Sequence, residues 1–161
     1  MTRRHGPRAR GERGMAAGAE ALAVGSLVLV VAMVLVVNAW AVLDTRTALE
    51  SAAREYLRAY TEAGSPEAAA ADGRRALDLV VEDRPGLAGR VELSAPRPDG
   101  FGPCAAATVT LSSEVPAVRI PFLARDWGRH RVTVRATELV DAHREMVPGP
   151  DHDPSRTACG G

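Results

Sequence analysis

The chain has 161 residues and no formal net charge, because 20 basic residues, all of them arginine, balance 20 acidic ones. This balance gives no overall case for binding nucleic acid or acidic substrates, and an aromatic content of 4% argues against large stacking surfaces. The charge is nevertheless unevenly placed. Residues 1–20 hold five arginines and two glutamates, residues 21–43 hold no charge, and residues 44–161 hold fifteen arginines and eighteen acids.

The uncharged stretch, 21–43, predicts a membrane helix. Its 23 residues read ALAVGSLVLVVAMVLVVNAWAVL. As a helix at about 1.5 Å per residue they span about 34 Å, enough for a hydrocarbon core of about 30 Å. We expect an arginine-rich cytoplasmic leader over 1–15, a transmembrane helix over 16–43 and the remainder outside a plasma membrane that the chain crosses once.

A cleaved signal peptide is the alternative interpretation of this segment. Ala39-Trp40-Ala41 fits the small-x-small pattern of a cleavage site. However, the apolar run exceeds the usual signal-peptide core of about 7–15 residues, and the following sequence continues as a helix. We therefore favour a retained anchor.

Residues 44–63 predict a stalk that continues the membrane helix. Apolar side chains recur there at helical spacing, and neither Gly nor Pro separates them from the apolar run. The stripe is expected to pack on the chain's own domain, and Gly64 to end the helix. Its members are Leu49, Ala52, Ala53, Tyr56, Leu57, Tyr60 and Ala63.

Residues 64–145 predict a small extracytoplasmic α+β domain. Ser65 as N-cap and Pro66 at the first position begin a second helix, which ends before Arg84. Alternating apolar residues then predict short strands around 91–94, 106–115 and 130–139. Between Pro116 and Pro121, the segment AVRI is interpreted as an edge strand or a bent continuation.

The resulting fold class is α+β, with a long transmembrane and stalk helix, a second helix and a small antiparallel sheet of three to four strands. Residues 146–161 are rich in Pro, Gly, Asp and Ser and are expected to form a disordered tail.

The chain resembles the TadE-like pseudopilins, of the actinobacterial type, that belong to the tight-adherence (Tad/Flp) pilus assembly system. The resemblance implies a pilin-like fold and a non-enzymatic role in pilus biogenesis or secretion, through helix packing with other pilin-like or Tad assembly subunits. It is carried by Arg13-Gly14, Ala16-Ala17, Glu20-Ala21-Leu22-Ala23, the apolar run, Asn38-Ala39-Trp40, Ala52-Ala53-Arg54-Glu55, Glu114-Val115-Pro116 and Ile120-Pro121-Phe122.

The same resemblance implies processing by a prepilin peptidase on the cytoplasmic side, usually just after a glycine, with an acid at the fifth mature position. Cleavage after Gly14 makes Glu20 the sixth residue, whereas cleavage after Met15 makes it the fifth. The Glu20 carboxylate would neutralise the new α-amine of its own or a neighbouring chain and set the register between subunits. Alternatively, Glu20 is an ordinary acid favoured near a helix N-terminus.

Cys104 and Cys159 would both lie outside the membrane, where a disulfide can form, although a free thiol or an intermolecular bond is the alternative. No sequence motif indicates catalysis, a metal, a cofactor or nucleic-acid binding, and Asp151-His152-Asp153 is interpreted as a solvated tail. The alternative function is a membrane-tethered extracytoplasmic domain that binds or senses a ligand, with an anchored enzyme ranked below it.

Overall fold

The computed structural model describes the backbone of residues 12–120 and 125–159, and the side chains within 20–117 and 127–159. It shows the α+β arrangement that the sequence predicts, with two helices and a three-stranded antiparallel sheet in the described part of the chain. The elements are α1 (Glu12–Thr61), α2 (Pro66–Glu82), β1 (Val91–Ser94), β2 (Ala106–Ile120) and β3 (Arg125–Leu139), with 3-10 turns at Pro98–Gly100 and Pro154–Arg156.

Helix α1 runs for 50 residues without a break and forms one side of the domain core. Proline is absent from its sequence, so no residue removes a backbone donor or clashes with the preceding turn. The predicted stripe is buried along its C-terminal half, and it includes Tyr56 at 0% exposure and Tyr60 at 1%. The expectation that this stripe packs on the chain's own domain is therefore confirmed.

Helix α2 begins and ends where the sequence predicts. The Ser65 side chain accepts a hydrogen bond from the Ala68 amide at 3.2 Å, and Pro66 occupies the first turn. The helix packs against α1 at Gly73, where a β-carbon would lie 2.9 Å from the Tyr56 ring. The absence of a side chain at Gly73 thus allows the two helices to approach closely.

The sheet has the order β1-β2-β3 and covers the opposite side of the core. Leu93 pairs with Leu111, and Leu111 pairs with Val134, so apolar side chains from all three strands share one level of the sheet. Because side chains alternate between faces, the inner face of β2 is buried and its outer face is polar. The buried members of β2 are Ala107, Val109, Leu111, Ser113 and Val115.

Strands β2 and β3 are longer than the sequence predicts. Strand β2 passes through Pro116 to Ile120, so the segment after that proline is a continuation of the strand, and β3 begins at Arg125 instead of residue 130. Pro116 pairs with Arg129, and the ladder extends to Ile120 and Arg125. Gly128 adopts a φ of +69°, a left-handed conformation that favours glycine.

The C-terminal segment differs from the expected disordered tail. Residues 146–159 lie along the domain, held by backbone hydrogen bonds from Val147 to Gly64, from Gly149 to Phe101 and from Ala158 to Cys104. Composition alone suggests disorder because the segment has little apolar surface to bury. Met146 packs against the core, and the other partners are backbone groups and one cysteine elsewhere in the chain, which a local sequence pattern does not reveal.

Candidate membrane helix and assembly surface

The N-terminal half of α1 carries an apolar surface that the domain leaves uncovered. Its large apolar side chains between Leu22 and Trp40 that the structure exposes are 51–76% accessible. They lie on all sides of the helix up to Met33, and one face is half-buried from Val34 onward. A helix that is hydrophobic all round is typical of a membrane span. The segment is long and apolar enough to cross a membrane, and a signal sequence near an N-terminus meets the same criteria.

Polar side chains in and just after this segment bond to the helix's own backbone. The Ser26 hydroxyl donates to the Ala23 carbonyl at 2.9 Å, and the Asn38 amide donates to the Val34 carbonyl at 2.7 Å. Thr45 and Thr47 donate in the same way to carbonyls four residues earlier. Such bonds lower the cost of placing polar groups in hydrocarbon, where water cannot satisfy them.

The fully buried core of the domain begins on α1 just after the exposed segment, although one face of the helix is half-buried from Val34 and Val42 already packs against the core. Leu43 is exposed, whereas Ala48 and Leu49 are buried. Charged side chains appear at the same point, and Arg46 pairs with Glu50 at 3.1 Å. The fully buried part of α1 therefore begins within a few residues of the end of the uncharged run.

Glu20 is the first residue of the chain whose side chain is described, and it is exposed at the N-terminal end of the apolar segment. The predicted processing positions, Gly14 and Met15, fall within the first turns of α1, and the side chain of Met15 lies outside the described residues. Residues 1–11 of the leader and Pro121-Phe122 of the resemblance also lie outside them. About five helical residues, or about 7.5 Å, separate Met15 from Glu20 along the axis.

An aromatic cluster fixes the C-terminal end of α1 to the rest of the domain. The rings of Tyr56 and Tyr60 stack at 6.1 Å, and Tyr60 meets Phe101 edge-on at 5.5 Å. The Tyr60 hydroxyl donates to the Arg97 carbonyl at 3.4 Å. Burial, followed by the neighbouring Tyr56, raises the pKa of Tyr60 to about 12. The cluster is a rigid junction that would orient the domain relative to the apolar segment.

The two cysteines are joined in the structure. Cys104 and Cys159 form a disulfide with an S–S distance of 2.10 Å and a Cα–Cα distance of 5.5 Å, across a sequence separation of 55 residues. Cys104 is buried at the turn before β2. The disulfide ties the C-terminal segment to the end of the domain that lies beside the C-terminal end of α1.

The outer face of the sheet carries a charge network that sequence analysis did not anticipate. Arg131 pairs with Glu92 at 3.1 Å and with Glu114 at 3.6 Å, and Arg129 pairs with Glu114 at 3.0 Å. The Arg129 hydrogen bond lowers the pKa of the Glu114 carboxyl. The partners come from three strands, so only the strand register, which the sequence leaves open, could have indicated the network.

The described residues give no indication of a metal centre. No group of three or more His, Cys, Asp or Glu side chains that could hold a metal ion occurs among them. In the predicted tail, Asp153 accepts hydrogen bonds from the Ser155 side chain and amide, which lower the pKa of its carboxyl. Asp153 thus caps the 3-10 turn that follows it.

The chain matches no family model, no curated protein and no solved structure.

Proposed function

We propose that this chain is a non-enzymatic, membrane-anchored pseudopilin-like protein that contributes to pilus biogenesis or secretion by helix packing. The observation that carries the proposal is the division of α1: its N-terminal half is apolar on all exposed sides, and its C-terminal half is the buried spine of the domain. The helix is continuous across this division, so a force or contact at the apolar half reaches the domain directly.

Orientation in the membrane follows from charge. The arginine-rich residues before the apolar segment would remain in the cytoplasm, and the α+β domain would lie outside. The disulfide between Cys104 and Cys159 supports this orientation, because disulfides persist in oxidising compartments and are rare in the cytosol.

Glu20 is the proposed register group of the assembly. A carboxylate at the lipid boundary is poorly solvated, and an α-amine from a processed neighbouring chain would compensate its charge. The exposed apolar surface beyond Glu20 would then pack against the helices of pilin-like subunits. Gly25 and Ser26 have small side chains, which would allow a neighbouring helix to approach this surface closely.

The decisive experiment is the intact mass and N-terminal residue of the protein recovered from its native membrane. A chain that begins at Met15 or Ala16, with or without an N-methyl group, is expected from prepilin-type processing. A chain that begins at Met1 or Thr2 would contradict processing and favour a tethered ligand-binding domain. A chain that begins at Val42 would show that the apolar run is a signal peptide, and the anchor would be excluded.

A further inference from the structure

The strand register shows which end of the domain faces the apolar segment of α1. The end of the sheet formed by the start of β2 and the end of β3 lies beside the C-terminal end of α1, where Tyr60 bonds to Arg97 and Cys104 bonds to Val140. The strands therefore run back along α1, so that the end of β2 and the start of β3 point towards the apolar segment.

The β2–β3 hairpin extends beyond the base of the domain. Two surface grooves relate the strands to α1. Asp44 and Ala48 of α1 line the first groove together with the 83–87 turn, and Arg90, which follows that turn, lines the second together with Val115 and Pro116. Pro116 thus lies near the level at which α1 enters the domain. The ladder continues for four more residues of β2, to Ile120, or about 13 Å at 3.3 Å per residue.

This extension is a two-stranded ribbon, because β1 pairs only with residues 110–113 of β2. We call it the basal ribbon and define it as residues 116–120 and 125–129. Two-stranded ribbons are marginally stable in water unless they pack against a surface. Among the described elements, none pairs with the basal ribbon at either edge.

The composition of the basal ribbon suits a lipid interface. Its sequences, PAVRI and RDWGR, combine apolar residues with three arginines and a single acid. Trp127 is 64% exposed, and Trp40, at the end of the apolar segment, is 71% exposed. They are the chain's two tryptophans, and tryptophan is enriched at membrane–water interfaces.

We propose that the basal ribbon rests on the outer leaflet of the same bilayer that α1 crosses, with the indole of Trp127 in the membrane–water interface. This contact gives the domain a second point of attachment and restricts its tilt and rotation about α1. The inference rests on the membrane anchor of the proposed function, since the bilayer is placed by the apolar segment.

Two single-tryptophan variants of the full chain test this contact in vesicles of phosphatidylcholine and phosphatidylglycerol. Trp40→Phe leaves Trp127 as the only indole, and Trp127→Phe leaves Trp40 as the reference. The quenchers are phosphatidylcholine brominated near the headgroup, which acts from the lipid, and acrylamide, which acts from water. Both substituted side chains are exposed, so both variants should fold.

We expect headgroup-level bromolipid to quench the emission of both variants to a similar extent, because indoles at the membrane–water interface lie at the level of the headgroups. Quenching of Trp40 but not of Trp127 would overturn the ribbon contact and leave the anchor intact. If Trp127 is then also shielded from acrylamide, a protein partner covers the ribbon instead of lipid. Quenching of neither indole would overturn both the contact and the membrane anchor.

Discussion

A single carboxylate, that of Glu20, stands where the apolar segment of α1 begins. If it sets the register between subunits, Glu20→Ala should insert into the membrane as well as the wild type, because the change removes a charge from the lipid boundary. Assembly should nevertheless fall strongly, since the α-amine of a neighbour would lose its counter-charge. Filament yield per amount of membrane-inserted protein measures the difference.

The matched control is Glu62→Ala, which removes an exposed acid just beyond the other end of α1. Filament yield should be unchanged in this variant. Normal yield from Glu20→Ala would instead support the simpler interpretation of Glu20 as an acid favoured by the helix dipole.

Gly73 governs the contact between the two helices. In Gly73→Ala the new β-carbon would lie 2.9 Å from the ring of Tyr56, which is fully buried in the core and would have to shift against its neighbours. Overpacking of this kind costs about 1–3 kcal/mol, against a gain of about 1 kcal/mol from helix propensity. We expect a net loss of up to about 2 kcal/mol in the free energy of unfolding, measured by denaturant titration in detergent.

Gly64→Ala is the control for this substitution. A β-carbon at Gly64 meets nothing within 4 Å, so the change should be neutral or slightly stabilising. Equal stability of the two variants would mean that α1 and α2 are not in close contact at Gly73.

At the scale of elements, the helices could be predicted closely and the strands less well. The cap at Ser65 and the uninterrupted apolar pattern of α1 are local signals, and both helices begin and end within a few residues of expectation, except at the N-terminal end of α1. The sequence left the segment after Pro116 open as an edge strand or a continuation of β2, because proline usually interrupts a ladder. Here the chain continues past it, paired with Arg129.

In the candidate site, too, features set by local sequence could be predicted and features set by long-range pairing could not. The apolar segment and Glu20 are contiguous in sequence and could be predicted directly, and the cysteines could be named as a pair without knowing their distance. The ion pairs among Glu92, Glu114 and Arg131 depend on strand register. Register depends in turn on long-range packing of the inner face, which a single sequence does not specify.

The C-terminal segment depends on its disulfide more than on apolar burial. Closing 55 residues restricts the unfolded chain and is worth about 4 kcal/mol on a chain-entropy model. Cys159→Ser should therefore lower the free energy of unfolding by about 2–4 kcal/mol and accelerate amide exchange between Val147 and Ala158. Denaturant titration and hydrogen exchange measure the two effects.

Dithiothreitol provides the control for this prediction. It should destabilise the wild type by a similar amount and leave Cys159→Ser unchanged. A wild type that is insensitive to the reductant would indicate that the segment is held by its backbone hydrogen bonds to Gly64 and Phe101 alone.

At the scale of the whole molecule, one continuous helix, α1, carries two different surfaces. Its C-terminal half buries aromatic and small side chains against α2 and the sheet, and its N-terminal half leaves large apolar side chains uncovered. A water-soluble chain would be expected to aggregate through such a surface. Such a surface is accounted for if a bilayer or other helices cover it, or if the segment is a signal sequence.

A charged residue placed in the apolar segment of α1 tests whether lipid or protein covers that segment. Leu29 is 71% exposed near the middle of the apolar segment, and Leu79 is 60% exposed on α2. An arginine near the centre of a membrane helix raises the insertion free energy by about 2.5–3.5 kcal/mol, which lowers the insertion equilibrium constant about 100-fold. Leu29→Arg should thus shift the protein from the carbonate-resistant membrane fraction to the extractable one, whereas Leu79→Arg should remain inserted. If both variants partition like the wild type, the apolar segment of α1 is covered by protein and not by lipid.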